Sequence, residues 1–387
     1  MNANAVSKCD RWRERLSRHQ VLGLSPQGGF SLIELMIALV LAGILLFGLA
    51  VFFVSSSRSY GEAERVSRQI ENGRYAMALI AEDIRHAGFY GQVGNVTLLP
   101  TVPAPPAQIP MPPNLPDPCA FAIADVSAAL PVPIQGVDNV VAATAPSCVP
   151  DAVAGTDILV IRRANTTTVA SGAAVANGYY TQTANCATDA PIFQIAQSGF
   201  TLHDKNCTTV MPIRQYHVYI YYVAPCSIAS GAGGVCAAGD APLPTLKRVE
   251  LCSQTAITNP ACANGAGKMS IPVPLVEGIE NIQYEYGLDT TGDGSPDTFT
   301  PAPGYVFVDA THATGWPQVV AVRVHVLARN VDTTAGFTDT KTYSMGLNAD
   351  NSANTVTPGG SFRRHAYTDL ARVTNVSQRI EPTLGTP

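Results

Sequence analysis

From Phe30 to Val54 the chain runs for 25 residues with a single ionisable side chain, Glu34. As a helix rising about 1.5 Å per residue, this run is roughly 37 Å long, enough to cross the hydrocarbon core of a bilayer. A cleaved secretory signal fits poorly, because its apolar stretch spans about 7–15 residues and ends at small residues. This run is longer and leads directly into VSSSRSYGEAERVSRQ, which continues the helical pattern. The apolar run therefore reads as a membrane helix that stays in the mature protein.

Charge orients that helix. Lys8, Arg11, Arg13, Arg15 and Arg18 stand before it against Asp10 and Glu14, which leaves 19 basic and 27 acidic residues for the rest of the chain. Under the positive-inside rule the basic flank stays cytoplasmic and the acidic body lies across the membrane. A body with net charge −8 argues against nucleic-acid binding, which needs a basic surface for phosphates.

Glu34 needs a reason, since an unpaired carboxylate in a bilayer costs on the order of a few kcal/mol. An ordinary anchor would let it snorkel to the interface. The sharper reading is a cut between Gly29 and Phe30, which gives Phe30 a new α-amino group one helical turn from Glu34. Ammonium and carboxylate attract strongly in low dielectric, so a neighbouring subunit's amine would neutralise Glu34 as subunits stack.

GGFSLIELMIALVLAGILL resembles the class III signal of type IV prepilins and pseudopilins. The resemblance implies peptidase cleavage after Gly29, methylation of Phe30 and an assembly role for Glu34. The run lacks the proline that kinks many major pilins. GRYAMALIAEDIRHAGFYG, LVEGIENIQYEYGLDTTGDGSPD, WPQVVAVRVHVLAR and FRRHAYTDLARVTN resemble, in order, blocks of PilW-type minor pilins. This implies a structural subunit of the type IV pilus, in a tip or priming complex, supporting twitching motility and adhesion. Its partners would be other minor and major pilins, the prepilin peptidase, the inner-membrane assembly platform and inner-membrane lipid. A type II secretion pseudopilin and a calcium-dependent tip adhesin are the alternatives.

The expected organisation is a leader at 1–29, a membrane and assembly helix at 30–54, its amphipathic continuation at 55–88 and a β-rich periplasmic or extracellular head at 89–387. Tyr60, Ala63, Val66, Ile70, Met77, Ile80, Ile84 and Ala87 fall at helical spacing and predict the stripe that carries the head, with Gly88 and Gly91 as stop. Nine prolines between Pro100 and Pro118 predict an extended linker. TDILVIRRA, YHVYIYYVA and TLKRVEL read as strands, and Val320, Val322, Val324 and Val326 alternate with Arg323 and His325 as in a half-buried strand. The fold class is α+β: a long N-terminal helix packed on an antiparallel sheet with disulfide-pinned loops.

Eight cysteines follow the apolar run: Cys119, Cys148, Cys186, Cys207, Cys226, Cys236, Cys252 and Cys262. An even number at long spacings, with no C-x-x-C, suits four disulfides in an oxidising compartment rather than zinc. Of the 105 pairings, nearest neighbours close the shortest loops.

DTTGDGSPD is the one metal-like motif. Asp289, Thr291, Asp293 and Asp297 occupy positions 1, 3, 5 and 9 of an EF-hand-type loop, with Gly294 at the sharp turn and the Ser295 carbonyl as a further oxygen. Thr300 stands where the bidentate glutamate should be. Either the loop takes Ca²⁺ weakly, the one candidate cofactor, or it is a polar Asp-Gly turn that needs no metal. Arg363, Arg364 and His365 make a basic cluster that either meets an acidic partner surface or DNA, or is a solvated strand edge. No H-E-x-x-H, G-x-S-x-G or P-loop occurs, which argues against an enzyme.

Overall fold

In a computed structural model the described residues are 29, 31–93, 96 and 109–380. Phe30, almost all of the leader and the first half of the proline-rich stretch lie outside them. The chain divides into two compact units, residues 1–61 and 62–387, each described by itself.

Helix α1 (Leu32–His86) ends where Gly88 takes a positive φ of 74°, a conformation that glycine adopts without a Cβ clash. In the second unit a seven-stranded antiparallel sheet comprises β1 (Ile134–Val137), β2 (Ile158–Ala164), β3 (Tyr180–Thr183), β4 (Phe193–Ala196), β5 (Arg214–Ala224), β6 (Thr245–Glu250) and β7 (Val273–Glu277). The long strand β5 pairs with β2, β3 and β6. A four-stranded sheet follows, ordered β15-β12-β8-β9, from β8 (Ile279–Leu288), β9 (Thr298–Thr300), β12 (Val319–Arg329) and β15 (Arg364–Arg372). Two hairpins interrupt it, β10 (Tyr305–Phe307) with β11 (Ala313–Gly315) and β13 (Tyr343–Leu347) with β14 (Ala353–Val356). Two short helices, α2 (Ile123–Ala128) and α3 (Thr374–Ile380), complete the elements used below. This is the expected α+β architecture.

Strand periodicity sorts side chains into two cores. Leu159 and Ile161 of β2 and Tyr219, Tyr221 and Val223 of β5 face Met77, Ile80 and Ile84 of α1, joined by Val322, Val324 and Val326 of β12. Their alternating neighbours Ile158, Val160, Val218, Ile220 and Tyr222 face a second core closed by Tyr90, Val126 and Leu130. Strands buried on both faces read as continuous apolar runs, and β2 and β5 do so.

The helix stripe differs from the sequence expectation. Its buried face is Gln69, Gly73, Ala76, Met77, Ile80, Ala81, Asp83 and Ile84, while Tyr60, Ala63 and Ile70 are exposed. Close approach is the reason. A Cβ on Gly73 would collide with the Tyr367 ring of β15, and the Gln69 amide donates to the Ala328 carbonyl of β12 at 2.8 Å. Small and hydrogen-bonding residues thus occupy positions that an apolarity count passes over.

Candidate assembly site and polar clusters of the head

In the first unit every residue from Leu32 to Val54 is exposed, including Phe47 at 72% and Phe53 at 73%. Glu34 sits in the first turn of α1, where the N-terminal end of the helix dipole favours a carboxylate. The helix is long and apolar enough to cross a membrane. Gly43 and Gly48 have open space where a Cβ would go, so an intermolecular neighbour can approach closely there. Gly29 is exposed.

Adjacent arginines on β2 do opposite jobs. Arg163 faces α1 and meets the Asp83 carboxylate at 2.9 Å, and the Tyr221 hydroxyl donates to the same carboxylate. Arg163 and Arg248 both lie over the Tyr219 ring. This buried network ties the helix to the sheet at a point where removing one partner would strand a charge. Arg162, on the other face and 1% exposed, donates to the Val132 carbonyl at 2.8 Å and to Gln135 Oε1 at 2.9 Å. Burial pushes its pKa down. The TDILVIRRA run predicted the strand; neither arginine's role was visible without knowing what faced it.

Asp157 joins the sheets. Its N–H donates to the Ile282 carbonyl of β8, and its carboxylate accepts from the Tyr284 and Asn139 N–H groups at 2.8 Å each. Burial nevertheless dominates and pushes its pKa up to about 8, because those two bonds do not replace full hydration. On the outer face of the four-stranded sheet, Arg323 pairs with Glu285, and His325 lies 3.7 Å from Glu285 and 3.0 Å from the Thr368 hydroxyl. Gly346 of β13 rests directly against His325 and Glu285. The alternating strand is therefore covered on both faces, and His325 is a packed residue.

The eight cysteines form Cys119–Cys148, Cys186–Cys207, Cys226–Cys236 and Cys252–Cys262. Lys247, 1% exposed, points its ammonium at the third bridge, 3.4 Å from Cys236 Sγ and 3.7 Å from Cys226 Sγ.

The DTTGDGSPD loop is the β8–β9 connection. Asp289 Oδ1 accepts from the Gly292 N–H at 2.6 Å and the Asp293 N–H at 3.3 Å, and its Oδ2 accepts from the Gly294 N–H at 2.7 Å. Asp297 Oδ2 accepts from the N–H and hydroxyl of Thr290 and from the Thr291 N–H. Those bonds, led by the Thr290 hydroxyl, hold the Asp297 pKa below the usual carboxylate value. Thr291 donates its hydroxyl to Asp289, and Asp293 accepts from the Ser295 N–H at 2.8 Å. The Asp289 and Asp297 carboxylates are thus engaged by N–H and hydroxyl donors of the loop itself.

In the basic cluster, Arg363 meets Glu62 of α1 at 2.5 Å, and Arg364 pairs with Glu280 and with Asp339 at 3.0 Å. The His365 ring packs edge-on against Tyr367.

Comparison with known families matches two stretches of the chain. Residues 221–375 match the family model described as Type IV Pilus-assembly protein W, from the end of β5 into α3. Residues 24–50 match the prokaryotic N-terminal methylation motif. No curated protein and no solved structure matches the chain.

Proposed function

We propose that the chain, similar to Type IV Pilus-assembly protein W over residues 221–375 and to the N-terminal methylation motif over residues 24–50, is a PilW-type minor pilin that serves as a pilus tip or priming subunit. The prepilin peptidase cuts between Gly29 and Phe30 and the new amine is methylated. Until assembly, residues 30–54 hold the protein in the inner membrane with the disulfide-bonded head on the periplasmic side. Glu34 then pairs with a neighbouring subunit's N-terminal amine as the helix leaves lipid for a bundle of pilin helices, with the assembly platform driving the transfer. The head of the mature chain is bulky for a repeating shaft position, which favours an end where one side is free. In that position it supports twitching motility and adhesion.

One observation carries the reading: the apolar first part of α1, exposed at every residue from Leu32 to Val54 and broken only by the Glu34 carboxylate in its first turn, begins within a stretch matching the methylation motif. The pilin family is structural, which supports a non-enzymatic role. Replacing Glu34 by Ala tests it. The variant should reach the membrane with its head folded and appear in sheared pili at a tenth of the wild-type amount or less. Wild-type incorporation would refute the pairing. Deleting the gene should abolish or thin surface pili; loss of secreted enzymes with pili intact would point to a secretion pseudopilin instead.

A further inference from the structure

Within the head, α1 and the start of β15 leave a cleft of about 320 Å³ that the Glu34 pairing does not use. The α1 wall is apolar at Val66 and Ile70, and the ring of Phe337 supplies more apolar surface. Basic side chains also line it, but their charges are not equally free. Arg363 is engaged by Glu62 and lies over the Phe337 ring, and Arg364 is held by Glu280 and Asp339. Arg74 of α1 and Lys341 of the loop before β13 are exposed and make no ion pair among the described residues. Tyr367, packed against Gly73, also lines the cleft, and its hydroxyl is buried without a hydrogen-bond partner among the described residues.

Two unspent cations from distant parts of the chain and apolar walls together describe a receptor for a carboxylate on an aliphatic arm. A nucleic-acid site would instead need an extended basic stripe on a body that is net acidic. We propose that this cleft receives an acidic side chain of a neighbouring pilin subunit, its carboxylate held between Arg74 and Lys341. The proposal rests on the pilus reading, because a neighbouring subunit must be present to supply the acid. Seating the acid fixes the rotation of one head against the next, which apolar helix packing alone leaves loose.

Zero-length coupling with a carbodiimide tests this on the full chain, in native membranes and in sheared pili. The reagent activates a carboxylate, and only an amine in contact with it displaces the leaving urea to form an amide. Mass spectrometry should find Lys341 joined to an aspartate or glutamate of another pilin chain. Arg74→Glu with Lys341→Glu should lower the amount in pili at least tenfold while the four disulfides and the melting temperature of the head stay unchanged. Arg74→Lys with Lys341→Arg should stay within twofold of wild type, which separates loss of charge from loss of fold. Lys341 left uncoupled, coupled only within its own chain, or joined to a phospholipid or DNA phosphate would overturn the proposal. So would unchanged incorporation of the charge-reversed pair. A wild-type chain absent from the pilus fraction would count against the pilus reading instead, with the cleft then judged from the membrane coupling.

Discussion

Between Leu32 and Val54 every residue of α1 is exposed, whereas from Gln69 to Ile84 the same helix buries a face that includes a glutamine, a glycine and an aspartate. The first stretch is more apolar than the second, yet it is the second that has a core. Apolarity says that a surface must be removed from water; it does not say whether lipid, a neighbour or the chain itself removes it. In the second stretch the sheets already supply the cover, so shape and polarity decide each position. Gly73 makes room for Tyr367, Gln69 satisfies a strand carbonyl and Asp83 neutralises Arg163. In the first stretch nothing among the described residues imposes such detail, and any side chain that suits oil suffices, except at Glu34.

The sharpest way to break this contrast is a charge. Asp83→Ala leaves the half-buried Arg163 without its carboxylate and the buried Tyr221 hydroxyl without its acceptor, and should destabilise the head by about 3–5 kcal/mol in chemical unfolding of the detergent-solubilised protein. A loss under about 1 kcal/mol would show that the network holds nothing together. A cavity gives the next largest effect. Ile80→Ala, at a fully buried position, should cost about 2–5 kcal/mol, whereas Leu45→Ala, the same kind of truncation in the exposed half, should leave unfolding of the head unchanged. Equal effects would erase the distinction between the two stretches.

A third and smaller effect is pH dependence, which only the head should show. The Asp157 pKa is raised to about 8 in the fold, against about 3.9 in an unfolded chain, so the native state holds a proton that the unfolded state has released. Its contribution to stability is complete below the unfolded value and is lost as pH rises through 8. His217, whose pKa burial pushes down to about 3, adds stability as pH rises through its unfolded value near 6.5, with about 0.4 kcal/mol of that gain still to come between pH 6.5 and 8. Between pH 6.5 and 8 stability should therefore fall by about 1 kcal/mol in wild type. Asp157→Asn should flatten that slope; an identical slope in the variant would remove Asp157 as its source. Smallest of all is calcium. With Asp289 and Asp297 taken up by the loop's own donors, titrating millimolar Ca²⁺ into wild type and Asp293→Ala should give the same heat. A binding heat lost in the variant would establish the metal loop.

What could be read from the sequence follows the same division. The apolar run, the strand alternation in β12 and the strand runs of β2 and β5 are local patterns, and local patterns survive without knowledge of partners. The Arg162–Arg163 step did not reveal that one arginine serves the second core and its neighbour serves α1, because that depends on Val132 and Asp83, remote in sequence. The stripe of α1 went astray at Tyr60, Ala63 and Ile70 for a related reason: helical spacing locates a face, but contact with the sheet decides where that face is covered. Arg74 and Lys341 carry no local signal at all, since they line one cleft only through the placement of the loop before β13.

The most direct measurement is the mass of the N-terminal peptide of this chain recovered from sheared pili. An N-methylated phenylalanine at position 30, with Glu34 retained, is the predicted result. A chain that keeps its leader, or that begins beyond Val54, would contradict an assembly helix starting at Phe30.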